Sequence, residues 1–169
     1  LSYTVGVDYK INDDIMIYAK QSRGYRAGAQ QLRSLTLADS TPAEPEIVNE
    51  QEIGVNTEFL DRKVRLNVAG YHNKVKDAQR SVILAIAGTS QTVLENADVE
   101  TWGVEADLNI RVTQGLNIFA NGSLSDPKYT KYNGFAVIGG VLTPDDKKDT
   151  RMNSIIEKQF MVGMNYEQE

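Results

Sequence analysis

The residue types that most often carry catalysis are scarce in this chain. Its 169 residues include no Cys and a single His, His72. Thiolate zinc sites, disulfide frameworks and cysteine nucleophiles are therefore excluded. A His-paired metal site or dyad would have to be built on His72 alone. Ser22 and Ser125 have no nearby His in sequence to act as base for a nucleophile. Glu105 and Asp107 are two apart and share a strand face. Such a pair could do acid–base work, but it also reads as a hydrated wall balanced by Arg65 and Arg111. Asp145, Asp146 and Asp149 cluster beside Lys147 and Lys148. Calcium needs several oxygen ligands at defined spacing, and the EF-hand spacing is absent. Gly139-Gly140 matches no phosphate-binding fingerprint.

One group suits ligand binding. Arg23, Tyr25, Arg26, Gln30, Gln31 and Arg33 lie at a strand end and in the loop beyond it. Guanidinium groups bond carboxylate or catecholate oxygens, and a phenol ring can stack, so the set fits an anionic, oxygen-rich ligand. The same residues also read as a polar loop that touches no ligand. No cofactor and no metal site is expected. Lys and Arg number 18 against 23 Asp and Glu, for a formal net charge of -5. That balance argues against nucleic acid as a partner.

The elements that would position these residues are strands. Val104, Ala106, Leu108, Ile110 and Val112 alternate with Glu105, Asp107, Asn109 and Arg111. A short Thr113-Gln114-Gly115 connection leads to Leu116, Ile118, Ala120, Gly122 and Leu124 on one face, with polar residues and Phe119 opposite. Similar period-2 runs cover residues 3–10, 15–24, 49–59, 64–71 and 159–166. These predict an all-β antiparallel meander of about seven strands. Short connections at Asn12, Asp61 and Gln114 alternate with longer ones around 25–47, 81–91 and 128–151. Short turns at one end and long loops at the other are the layout of an outer-membrane barrel.

Mean hydropathy is -0.39 and no apolar run nears the length of a transmembrane helix. A soluble domain would look the same, because alternation alone does not say whether the apolar face meets a core or lipid. Aromatic placement favours lipid. Tyr9, Phe59 and Tyr166 sit on the apolar face near the short-turn end, and Trp102 about ten residues from the opposite turn. Ten residues at about 3.3 Å, tilted by about 45°, rise roughly 23 Å, close to the apolar band between two aromatic girdles. The other reading is a soluble all-β binding or adhesion module with the apolar face buried. The two ends, LSYTVGVDYK and GMNYEQE, read as those of an internal piece of a longer chain.

Four segments in order now resemble a known family. IYAKQSRGYRAG (17–28), PEIVNEQEIGVNTEF (45–59), LNVAGYHNKVKD (66–77) and NADVETWGVEADL (96–108) are similar to strands of TonB-dependent outer-membrane receptors. The resemblance covers roughly residues 2–130 and fades beyond. It departs at His72, where the family usually has an aromatic or apolar residue, at Asn56, and at 149–153, where Pro is absent. The resemblance implies a segment of a transmembrane barrel of about 22 strands. Residues 1–169 would be part of one barrel domain, without the plug domain and TonB box. It implies an outer-membrane active transport receptor of a Gram-negative bacterium, and not an enzyme. Its partners would be outer-membrane lipid, a ferric siderophore or other small nutrient, and the TonB complex through regions outside this chain. Seven strands do not close a wide barrel, so this piece alone is expected to associate through its edges.

Overall fold

The computed structural model describes residues 1–30, 42–86, 88–152 and 155–167. Among them the chain forms strands and turns only. Eight strands follow in order: β1 (Tyr3–Lys10), β2 (Ile15–Arg26), β3 (Glu46–Phe59), β4 (Val64–Ile86), β5 (Thr89–Arg111), β6 (Leu116–Ile138), β7 (Val141–Asp146) and β8 (Lys158–Tyr166). Each of β1 to β6 pairs antiparallel with the next, and β8 also pairs with β6. β7 holds the far end of β6, from Asn133 to Ile138. β8 holds its near end, from Leu116 to Leu124. The sheet is unclosed.

The strand count and several boundaries differ from the sequence expectation. Residues 81–91 are not a long loop: β4 and β5 run on as a ribbon of 23-residue strands that turns at Gly88, φ +78°. Residues 128–151 likewise hold the rest of β6 and the extra strand β7, joined at Gly139 and Gly140 with φ +59° and +83°. β-branched residues such as Val82, Ile83, Val137 and Val141 sustain the extended backbone there. The short turns stand as expected. At β3–β4 three consecutive non-glycine residues, Leu60, Asp61 and Arg62, take φ between 53° and 62°.

Register places the side chains on two faces. One row reads Ile17, Val55, Val68, Ala106, Gly122 and Phe160 across β2, β3, β4, β5, β6 and β8. The face carrying that row has no charged residue between its two aromatic borders. The neighbouring row, on the opposite face, holds Tyr18, Gly54, Ala69, Glu105 and Ser123. On the apolar face the first charge beyond the band is Arg23 on β2, Lys74 on β4 and Glu100 on β5, all in one register row. It comes one pleat lower at Asp126 on β6 and lower again at Lys158 on β8. The turn-end aromatics descend the same way, from Tyr9 through Phe59 to Tyr166. A band of constant width crossing the register obliquely is what tilted strands in a bilayer produce. Val5, Val7, Ile53, Trp102, Val104, Phe160, Val162 and Met164 on this face are all exposed. The buried apolar cluster lies elsewhere, beyond the band, where Ala97, Val99, Tyr129, Tyr132 and Met152 pack with Val75 and Ala78.

Candidate functional site

The polar face of the band would line the interior of a closed barrel. Its aromatic side chains are seated on glycines. Tyr18, Tyr71 and Phe119 lie over Gly54, Gly103 and Gly163, each directly opposite in register. A Cβ at any of the three glycines would run into the ring. The glycine is required here by close approach and not by φ, and the ring replaces the missing side-chain packing. We expect Gly103→Val to cost about 1–3 kcal/mol by displacing Tyr71. Gly70→Val, on the apolar face with nothing nearer than 4.0 Å to its Cβ, should be tolerated. The denaturation midpoint of heat-modifiable gel migration, measured on the full-length protein, separates the two.

Charges on this face are partly paired. Glu52 accepts from the Tyr18 hydroxyl at 2.8 Å and from the Lys20 ammonium, which also lies 3.5 Å from Glu50. Arg65 does not balance Glu105 or Asp107 as the sequence suggested. It bonds Glu58, at 2.9 Å, one strand over. Glu105 and Asp107 instead border an open groove with Tyr18, Asn67, Asn121 and Gln159.

Beyond the band, on the long-loop side, the β4–β5 ribbon and the β6–β7 ribbon pack together around one buried carboxylate. The Glu95 side chain is 0% exposed. It accepts from Tyr132 Oη at 2.6 Å, from the Phe135 backbone N–H at 2.8 Å and from Lys147 Nζ at 3.0 Å. Gly134 leaves room for it. Burial, and then the hydrogen bond to Glu95, push the Tyr132 hydroxyl well above the usual tyrosine range. Arg80 and Lys147 lie 5.8 and 5.5 Å from the ring centres of Tyr129 and Tyr132. Sequence reading does not reach this node, because Tyr132, Phe135 and Lys147 all fall in the segment 128–151 that reads as a long loop. A traceable signal was the continued alternation Val93, Glu95, Ala97, Val99.

The ligand-binding residues expected from sequence divide between the faces. Arg23 and Tyr25 alternate with the apolar set of β2. Arg26 alternates with the polar set, 3.8 Å from Glu46. Gln30 is exposed just past the Ala29–Ala43 bridge. Gln31 and Arg33 lie outside the described residues. The stem of this connection is fastened to the ribbon. Gln79 Nε2 donates to Ala27 O at 2.7 Å, and Asn96 Oδ1 accepts from Glu44 N at 2.8 Å.

His72 is on the apolar face, as expected. Its ring stacks on Trp102 at 3.9 Å and 10°, and Nε2 lies 2.6 Å from Glu100. It therefore works as part of an amphipathic aromatic pair at the band edge. Asp146 caps the Lys148 N–H at 3.0 Å. Among the described residues no three His, Asp or Glu side chains converge as a metal ligand set.

Comparison with known proteins bears on these two faces. A family model described as TonB dependent receptor-like, beta-barrel, matches residues 1–169, past the point where the motif resemblance fades. The structure is similar to the copper transporter OprC, with a TM-score of 0.71 at 17% identity, over 99% of this chain and 24% of that one. It is similar to the ferripyoverdine receptor of the outer membrane of Pseudomonas aeruginosa, with a TM-score of 0.64 at 16% identity, over 99% and 20%. The ferric yersiniabactin uptake receptor of Yersinia pestis gives a TM-score of 0.59 at 23% identity, over 75% and 18%. At these identities the likeness is one of fold. The chain spans 18% to 24% of the length of these proteins.

Proposed function

The chain belongs to the TonB-dependent receptor β-barrel family, and on that premise we propose that it is part of the wall of an outer-membrane receptor for a scarce nutrient. Family members are outer-membrane transport receptors, and the proposed cargo is a ferric siderophore. The observation that carries the reading is the two-faced sheet: an uncharged, exposed apolar band crosses the register obliquely, and a polar, glycine-seated face lies behind it. A soluble binding module would cover that apolar face.

In this reading residues 1–169 form part of one barrel domain, and energy reaches it from the TonB complex through regions outside the chain. The long-loop end faces the medium, as long loops do in such barrels. Receptors for ferric yersiniabactin and ferripyoverdine among the similar folds support an iron chelate as cargo. Among the described residues, Arg26 and Gln30 are the members of the expected ligand set that do not share the apolar parity, so the proposed ligand contact rests on them together with Gln31 and Arg33.

The test uses the full-length protein in its own cell. It should fractionate with the outer membrane, migrate faster unheated than boiled, and be needed for uptake of a labelled ferric siderophore under iron limitation. A soluble monomeric full-length protein overturns the membrane reading. Normal ferric siderophore uptake in a deletion strain overturns the cargo.

A further inference from the structure

The β-bulge in β4 brings two amide side chains together. Between the pairs Val75–Val99 and Ala78–Ala97, β4 advances three residues while β5 advances two. The extra residue reverses the parity of everything beyond it on β4. Val75 and Ala78 therefore pack into the same cluster. In an unbroken strand Gln79 would share the face of Tyr71 and Asn73. With the bulge it pairs with Asn96, on the Trp102 side of β5. Asp77 takes φ +54° at the bulge, a conformation that strains a non-glycine residue. Side chains of β5 satisfy its backbone. Asp98 Oδ1 accepts from the Asp77 N–H at 2.9 Å, and Asn96 Nδ2 donates to Asp77 O at 2.6 Å.

The ladder of β3 with β4 ends at Ile47 and Lys76. Past that point side chains make the connection. Gln79 Nε2 donates to Ala27 O at 2.7 Å and to Glu44 O at 3.1 Å. Asn96 Oδ1 accepts from Glu44 N at 2.8 Å. One register pair thus grips both sides of the stem that leads from β2 to β3. Two backbone bonds between Ala29 and Ala43, at 3.2 and 2.7 Å, close that stem. Gly28 lies against it, where a Cβ would stand 2.8 Å from Ala43 O. Gln79 also donates its backbone N–H to Glu46 at 3.0 Å, and Glu46 lies 3.8 Å from Arg26. Arg26 and Gln30 immediately precede and follow the gripped residues 27–29.

We propose that Gln79 and Asn96 are positioning residues for the ligand. They do not touch it; they hold the stem against the β4–β5 ribbon and so keep Arg26 and Gln30 in place. The strained bulge is what aims Gln79 at the stem. This role rests on the cargo reading above. Ligand then binds only while the stem is docked, and apparent affinity falls with the docked fraction.

The test uses the full-length receptor in detergent and a ferric tris-catecholate chelate, followed by stopped-flow fluorescence. Gln79→Met/Asn96→Leu removes the stem bonds without changing the charge near an anionic ligand. It should speed amide exchange at Ala29, Ala43 and Glu44, lower kon about tenfold and leave koff unchanged. Arg26→Gln, at a proposed contact, should raise koff instead. Ser81→Ala, the next residue on that face of β4, should behave as wild type. Gly28→Val opens the same stem without altering the ribbon and should reproduce the loss of kon. Faster stem exchange with unchanged kon overturns the positioning role, and so does unchanged exchange. A raised koff in the amide variant would mean direct ligand contact and overturns it too. Heat-modifiable migration of each variant reads barrel integrity separately. A wild-type receptor that binds no ferric chelate overturns the cargo reading and this role with it. One that binds, with kon unchanged in the amide variant, loses only the positioning role.

Discussion

Glu95→Ala should loosen the packing at the long-loop end while leaving the apolar-band part of the sheet intact. Glu95 is the shared acceptor for Tyr132, Phe135 N–H and Lys147. Its removal strands a Lys147 ammonium that is only 16% exposed, and a backbone N–H, without their acceptor. Truncating one partner of a buried ion pair costs about 3–5 kcal/mol, because the charge left behind has no counter-charge. That cost falls on the β6–β7 ribbon. β7 pairs with β6 alone, and Met152 packs into the same buried cluster. Hydrogen exchange should therefore accelerate over residues 129–152 and stay unchanged over 116–124, where β8 covers β6. Glu95→Gln keeps an acceptor and should cost less. Pairing Glu95→Leu with Lys147→Met should recover part of the loss, since it removes both charges. Unchanged exchange in Glu95→Ala would mean that the ribbon is held by its apolar contacts alone.

Glu95 also shows where sequence reading stops. The apolar band was legible because strand rise and side-chain alternation are fixed lengths. Tyr9, Phe59, Tyr166 and Trp102 lie toward its limits. Beyond the band no such ruler applies. Alternation continues through Val93, Glu95, Ala97 and Val99, but a Glu amid small apolar residues reads equally as a loop. Its strand comes from the ladder with β4, where Arg80 lies opposite, and its carboxylate is held by Tyr132 and Lys147, 37 and 52 residues away. The binding set failed to read cleanly for a simpler reason. Arg23, Tyr25 and Arg26 are adjacent in sequence, and period-2 geometry sends Arg26 to the face opposite the other two. Residue type suggested one cluster where strand parity makes two. The Gly54, Gly103 and Gly163 seats were hidden likewise, because a strand glycine names its partner only once the register is known.

Neighbouring residues on β4 offer the sharpest check of which face meets lipid. Val68 lies mid-band in the row with Val55 and Ala106. Asn67 points the other way, opposite Asp107. In a bilayer, Val68→Arg should cost about 2–4 kcal/mol, whereas His72→Arg at the band edge should cost about 0–1 kcal/mol. Asn67→Arg gains Asp107 as a counter-charge on a wet surface and should be near neutral. Destabilisation alone does not identify lipid, because a buried protein core would also reject Arg at Val68. Tryptophan placed at the same two positions separates the cases. In vesicles of brominated phospholipid, Trp introduced by Val68→Trp should lose much of its fluorescence to the acyl-chain bromines, measured against the full-length parent. Trp introduced by Asn67→Trp should keep it, since the sheet stands between it and the lipid. Equal quenching at both positions, or none at either, would contradict the two-faced wall. Preferential quenching at position 68, with the depth-graded Arg series, would place the apolar face in the hydrocarbon and the polar face in the lumen.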